Sequence, residues 1–106
     1  KGIYNMIKHI EEKNFDTEIK EDIVIIDFFA TWCGPCKMLG LVLEKISDEI
    51  KFPILKVDVD ECSNIAKRYE IYSVPTLILM KNGVEIKRIS GYMDKNELKE
   101  WINSEK

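Results

Sequence analysis

The sequence is poor in the residues that cross-link small secreted domains or bind metal ions, since its 106 residues include 3 cysteines and 1 histidine. An odd number of cysteines makes a poor disulfide framework, because one thiol is left without a partner. A closed zinc site takes four ligands, and beyond Cys33 and Cys36 the chain offers only Cys62 and His9. We therefore expect no metal site, and a cytoplasmic location in which thiols are kept reduced.

Long apolar runs and an excess of basic charge are also absent. No stretch approaches the roughly 20 apolar residues that cross a bilayer, and the N-terminal segment lacks the pattern of a signal peptide. Charged residues make up 33% of the chain with both signs interspersed, and the net charge is -3, so no basic surface attracts nucleic acid. The length predicts one soluble domain over residues 1–106, and we expect a monomer without membrane or nucleic-acid partners.

Two cysteines stand at the junction of a predicted strand and a predicted helix. Residues 23–30 form a near-continuous apolar, β-branched and aromatic run, which is typical of a strand buried on both faces. After the cysteines, a helix is predicted to about residue 50, because apolar residues recur at helical spacing at Leu39, Val42, Leu43, Ile46 and Ile50. Cys33 would then lie beside the unpaired N–H groups of the helix start, which favours its thiolate. Cys36, one turn further on, is close enough to form a disulfide.

The other patterns predict an α/β domain. Strands are expected at residues 5–10, 53–60, 76–80 and 84–89, and short helices at residues 14–19 and 62–69. Asn82-Gly83, between the last two strands, is a strong hairpin signal. Asp94 and Glu97 indicate a helix cap, and the final helix is expected to place Leu98, Trp101 and Ile102 in the core.

The cysteine pair has three interpretations, and thiol–disulfide exchange is the one we favour. A zinc site lacks ligands, and a structural bridge across so short a loop gives the smallest chain-entropy benefit. Cys33, expected to be exposed at the helix start, would be the nucleophile, and Cys36 would resolve the mixed disulfide. Gly34 and Pro35 allow the tight turn between them.

The run after the second predicted strand, Trp32-Cys33-Gly34-Pro35-Cys36-Lys37, resembles the active site of the thioredoxin family, and the order of elements is similar along essentially the whole chain. Asp27 falls where the family has a buried acid, Lys56 where it has a nearby lysine, Pro75 where it has a cis-proline, and Gly91 where it has a glycine on the substrate-binding face. The resemblance implies a thioredoxin fold, with a central five-stranded mixed sheet flanked by four helices. It also implies a general protein disulfide reductase that needs no bound cofactor and receives electrons from a thioredoxin reductase, fed by NADPH or ferredoxin.

The resemblance also implies roles for single residues. A carboxylate in a buried strand raises its pKa, so Asp27 is a candidate proton acceptor, which we expect to deprotonate Cys36 through water. Lys56 would tune this acid, and the alternative for Lys56 is an ordinary surface lysine. A cis Pro75 would leave the Val74 backbone free to pair with an extended peptide. The residues expected to bind substrate are Trp32, Gly34, Pro35, Val74, Pro75 and Gly91.

The chain departs from the family at a few positions. Gly40-Leu41 stands where the family often has a proline that kinks the helix, and Tyr72, Ser73 and Tyr92 are bulkier than the residues often found there, which bears on partner choice. Cys62 and His9 are expected to have structural or solvent-facing roles. Two alternatives to the reductase stay open: an oxidase or isomerase, and a binding subunit whose cysteines are dispensable.

Overall fold

The computed structural model describes residues 6–20 and 22–104, which form a mixed five-stranded sheet with helices on both faces. Its strands are β1 (Ile7–His9), β2 (Ile23–Phe29), β3 (Ile54–Asp58), β4 (Thr76–Lys81) and β5 (Val84–Ser90). Its α-helices are α1 (Phe15–Glu18), α2 (Gly34–Ile46), α3 (Ser63–Arg68) and α4 (Lys95–Asn103), and a 3₁₀ turn at Glu12–Asn14 precedes α1. The predicted fold class is confirmed.

The strand order is β1-β3-β2-β4-β5. β1, β3 and β2 run parallel to one another, whereas β4 is antiparallel to β2, and β5 is antiparallel to β4. β2, α2 and β3 therefore form a parallel β-α-β unit, and β4 and β5 form the predicted hairpin. At its turn Asn82 and Gly83 have φ values of 52° and 81°, the positive values that this dipeptide adopts readily.

β2 lies in the middle of the sheet and contributes to both cores. Its residues Val24, Ile26 and Phe28 pack with α1 and α3, whereas Ile25 packs on the other face with α2 and α4. All four are fully buried. A strand of this composition has no polar face, which explains the continuous apolar run in the sequence.

Several predicted boundaries are wrong by a few residues. α2 ends at Ile46 rather than near residue 50, because Ser47 begins a turn in which its hydroxyl donates to the Glu44 carbonyl. The predicted helix at 14–19 is shorter and starts as a 3₁₀ turn. The predicted strand at 5–10 is β1, and its first predicted residue lies outside the described residues.

The cap of α4 is the one the sequence predicts. The Glu97 backbone N–H donates to Asp94 Oδ1 at 2.8 Å, and the Asp94 N–H donates to Glu97 Oε1 at 2.9 Å. Leu98 is buried, while Trp101 and Ile102 are half-buried against the same cluster. Within the described part of the chain, no helix has the length and apolar character needed to span a bilayer.

Candidate functional site

Cys33 and Cys36 form a disulfide at the N-terminus of α2. Cys33 is the N-cap, with an extended backbone, and its Sγ accepts a hydrogen bond of 3.1 Å from the Cys36 backbone N–H. Pro35 sits in the first turn, where a missing N–H costs no helical hydrogen bond. The Cys33 sulfur thus occupies the position from which N-cap side chains satisfy free N–H groups, next to the positive end of the helix dipole.

Cys33 is less exposed than the sequence predicts. Cys33 is 5% exposed and Cys36 is 3% exposed, so both cysteines are buried to nearly the same extent. The reason is the loop before β4: Cys33 Sγ lies 3.8 Å from the Val74 carbonyl oxygen, and Val74 and Phe29 pack against the disulfide. The prediction of an exposed Cys33 is therefore wrong for the disulfide form.

The loop across from the disulfide contains a cis peptide bond between Val74 and Pro75, as expected. Gly91 has a φ of 99°, and its N–H donates to the Pro75 carbonyl at 2.8 Å. A Cβ atom at Gly91 would have nothing within 4 Å, so open space lies beside this backbone. Among the described residues, none accepts a hydrogen bond from the Val74 backbone N–H.

Three aromatic side chains are exposed on segments that flank the disulfide. Trp32, just before Cys33, is 70% exposed, and its indole N–H donates to Asp60 Oδ2 at 3.0 Å. Tyr72 is 89% exposed and stands two residues before Val74, while Tyr92 is 44% exposed and follows Gly91. Exposed aromatic side chains of this size are typical of surfaces that contact other proteins.

Asp27 is buried in the middle of β2, as the apolar run predicts, and is 1% exposed. Burial raises the pKa of its carboxyl, while the nearby Lys56 ammonium opposes that rise. Lys56 Nζ lies 2.8 Å from Asp27 Oδ2, and among the described residues no group donates to the other oxygen, Oδ1.

Lys56 is not an ordinary surface lysine, because its side chain is only 14% exposed. Its ammonium lies 2.8 Å from Asp27 Oδ2 and 4.7 Å from the centre of the Phe29 ring. Gly40 of α2 provides room for it, since a Cβ there would lie 3.5 Å from Nζ. α2 is continuous through Gly40.

A cleft on the α2 side of the sheet brings Cys36 of the disulfide and Lys56 of the ion pair together. Its walls include Cys36, Gly40, Lys56, Phe29 and His9. Cys36 and Lys56 are far apart in sequence, and the β2-α2-β3 unit makes them line one space. Phe29, Gly40 and His9 were not predicted as site residues. The signal that could have found His9 is the pairing of β1 with β3, which a three-residue strand does not reveal.

Other candidates are not part of this cleft. Cys62 is buried under α3 with its Sγ 3.7 Å from the Ile10 carbonyl oxygen, and burial, followed by nearby acidic residues, raises the pKa of its thiol. A thiol held protonated in this way is a poor nucleophile. Across residues 6–20 and 22–104, no three His, Cys, Asp or Glu side chains are grouped so as to hold a metal ion.

Comparisons with known proteins agree with this geometry. The family model named Thioredoxin matches residues 6–104. The thioredoxin of Chlamydia pneumoniae is 46% identical over 99 residues, which cover 92% of this chain and 97% of that protein. The thioredoxin of Staphylococcus epidermidis is 42% identical, with 92% of this chain and 95% of that protein covered.

Solved structures are similar over the same length. A mutant thioredoxin from Halobacterium salinarum matches with a TM-score of 0.86 and 34% identity, covering 93% of this chain and 89% of that one. A thioredoxin from Malassezia sympodialis matches with a TM-score of 0.83 and 42% identity, covering 93% and 90%.

Proposed function

Because the chain belongs to the thioredoxin family, we propose that it is a general protein disulfide reductase, which receives electrons from a thioredoxin reductase and passes them to disulfides of other proteins. Thiol–disulfide exchange is the chemistry of the family and of its cysteine pair. The observation that supports the proposal most strongly is the 3.1 Å hydrogen bond from the Cys36 N–H to Cys33 Sγ at the start of α2, which stabilises a thiolate on Cys33.

In the proposed reaction the reduced protein attacks first with Cys33. Its thiolate forms a bond to one sulfur of the substrate disulfide, and the other substrate sulfur leaves as a thiolate. Cys36 then loses its proton and attacks Cys33 Sγ, which releases the second substrate thiolate and closes the Cys33–Cys36 disulfide. Two electrons pass to the substrate, and the reductase returns two electrons to the pair. The sulfur atoms carry these electrons, so no bound cofactor is needed.

We assign the proton from Cys36 to Asp27. The cleft beside Cys36 leads to Lys56, which is paired with Asp27 at 2.8 Å. Burial raises the pKa of Asp27, which makes its carboxylate a stronger proton acceptor, and water between Cys36 and Lys56 would connect the two groups. The positive charge of Lys56 lowers the pKa of Asp27, because it favours the carboxylate form.

Substrate would bind as an extended peptide over the Val74–Pro75 loop. The Val74 N–H, which has no acceptor among the described residues, and the Val74 carbonyl, 3.8 Å from Cys33 Sγ, can form two main-chain hydrogen bonds to a passing strand once the pair is reduced. Trp32 and Gly91 border this surface, and Gly34-Pro35 form the turn that a substrate must approach closely.

The reducing chemistry of the protein suits a compartment that keeps thiols reduced. We therefore place the protein in the cytoplasm.

Reduction of insulin by dithiothreitol tests the proposal. The wild-type protein is expected to accelerate the reaction, Cys33→Ser to abolish the acceleration, and Cys36→Ser to accumulate a mixed disulfide with the substrate, visible by mass spectrometry. Cys62→Ser is the matched control and keeps the wild-type rate, since Cys62 is buried in the other core. Full acceleration by Cys33→Ser would contradict the proposal.

A second assay replaces dithiothreitol with a thioredoxin reductase and NADPH. Turnover in this assay identifies the electron donor. A reduction potential close to that of the oxidising members of the superfamily, about -120 mV rather than about -270 mV, would instead favour an oxidase.

A further inference from the structure

Three titratable residues stand side by side across three neighbouring strands. In the sheet register His9 of β1 is opposite Lys56 of β3, and Lys56 is opposite Asp27 of β2. Directly opposed residues of neighbouring strands point to the same face of a sheet. The three side chains therefore form one row on the α2 side, which leads from the exposed His9 to the buried Asp27.

Contacts connect the members of the row. Lys56 Nζ is 2.8 Å from Asp27 Oδ2 and 4.7 Å from the Phe29 ring centre. The His9 ring meets Phe29 edge to face, with ring centres 6.3 Å apart and planes at 84°. Phe29 thus contacts both His9 and Lys56, and the three line the cleft that contains Cys36.

We propose that His9 is a positioning residue for the resolving step: its imidazolium, at the solvent end of the row, favours the carboxylate form of Asp27 and so sets the pH range in which Asp27 accepts the Cys36 proton. The inference rests on the proposed function of Asp27.

The direction of the effect follows from the charges. Burial raises the pKa of Asp27, the Lys56 ammonium lowers it, and a charged His9 lowers it further. Losing the His9 charge should therefore move the titration of Asp27 to higher pH. A permanent positive charge at position 9 should move it to lower pH.

Other charged or titratable groups lie near His9. Lys56 of β3 and, from α2, Lys37, Glu44 and the disulfide-bonded Cys36 line the same cleft, and Asp27 of β2 lies behind Lys56 in the row. Lys37 and Glu44 carry opposite charges, so their effects on Asp27 partly cancel. His9 differs from them because it lies in the same sheet row as Lys56 and Asp27.

The strand spacing of the sheet gives the expected size of the shift in the titration of Asp27. Two strand spacings of about 4.8 Å put position 9 about 10 Å from position 27, which is about one Debye length at 0.1 M salt. A unit charge at that distance, in a partly buried setting, should shift the titration of Asp27 by about half a pH unit. The shift should shrink in about 1 M salt.

The test compares His9→Gln with His9→Lys, two variants of an exposed residue that differ in charge at every pH. The first readout is the ¹³C chemical shift of the Asp27 carboxyl in the disulfide form, assigned with Asp27→Asn. The second is the acid limb of the pH profile of insulin reduction. We expect both midpoints to lie about half a pH unit lower in His9→Lys than in His9→Gln, with the wild type between them.

Lys8→Gln is the matched control. Lys8 is the neighbouring residue of β1, points to the other face and pairs with Glu18 at 3.3 Å, so its loss should leave both midpoints unchanged. Equal Asp27 midpoints in the two His9 variants would overturn the inference, even if all the proteins reduce insulin. Failure of the wild type to reduce insulin would overturn the proposed function instead, and the Asp27 titration would still decide the role of His9.

Discussion

Asp27 places an ionisable group where it costs stability. A carboxylate buried among apolar side chains loses its hydration, and one ion pair rarely restores that loss in full. Here one oxygen is paired with Lys56 and, within the described residues, nothing donates to the other. Lys56 reaches the cleft and can be hydrated without its partner. The molecule should therefore be more stable without the negative charge of Asp27.

Asp27→Asn is expected to raise the free energy of unfolding by about 1 to 3 kcal/mol at about pH 7.5. The folded pKa of Asp27 is raised above its unfolded value of about 3.9. Its protonated form therefore contributes stability that is complete below about pH 4 and is lost as the pH rises through the folded pKa. The gain of the variant should vanish near pH 3.5, as measured by urea denaturation at both pH values.

Asp22→Asn, at an exposed position just before β2, is the control and should change stability little at either pH. A gain for Asp27→Asn of equal size at both pH values would contradict this explanation, because it would then come from packing rather than from charge.

The surroundings of a single residue could be predicted from the sequence where its neighbours in space are also its neighbours in the chain. The burial of Asp27 was predictable, since its apolar neighbours are adjacent in sequence. The position of Lys56 beside Asp27 followed only from the family resemblance, because on an alternating strand it looks like a solvated residue until β3 is paired with β2. The shielding of Cys33 by Val74, 41 positions later, depends on the same long-range folding.

Among the elements, α2 joins the reactive sulfur to the ion pair. Cys33 is its N-cap, its first turn holds Cys36, and its second turn presents Gly40 to the Lys56 ammonium. The helical pattern and the start of α2 were predictable from apolar spacing and Pro35. Its end was not, because Ile50 keeps the apolar spacing beyond the Ser47 turn. The residue at which a helix ends depends on local hydrogen bonds at its C-terminus, and the spacing of apolar residues does not predict those bonds.

Gly40→Ala tests how much room α2 must leave. Glycine inside a helix costs about 1 kcal/mol relative to alanine, and the new Cβ would meet Lys56 Nζ at an ordinary contact distance of 3.5 Å. The free energy of unfolding should therefore rise by about 0.5 to 1 kcal/mol in urea denaturation. Leu41→Ala, at an exposed position of the same helix, should change it by less than about 0.5 kcal/mol. A clear destabilisation by Gly40→Ala would mean that the ammonium needs the empty space.

At the scale of the whole molecule, the two cores share their central strand. Val24, Ile26 and Phe28 belong to the core under α1 and α3, and Ile25 belongs to the core under α2 and α4. Adjacent residues of one strand cannot lose their packing independently, so the two cores should unfold together. The apolar run in β2 made a doubly covered sheet predictable. The edge position of β1 was not, because three residues carry too weak a pattern to choose a neighbour.

Each core contains a reporter that allows this cooperativity to be measured. With the Cys33–Cys36 disulfide closed, Cys62 is the single free thiol, and it is buried in the core under α3. Trp101 packs against the opposite core, and the Trp32→Phe variant leaves it as the only tryptophan. In urea, pulse labelling of Cys62 and the fluorescence of Trp101 should give the same midpoint, as expected for one domain. Cys62→Ser should show no labelling, and labelling at a lower urea concentration than the fluorescence change would divide the molecule into two units that unfold separately.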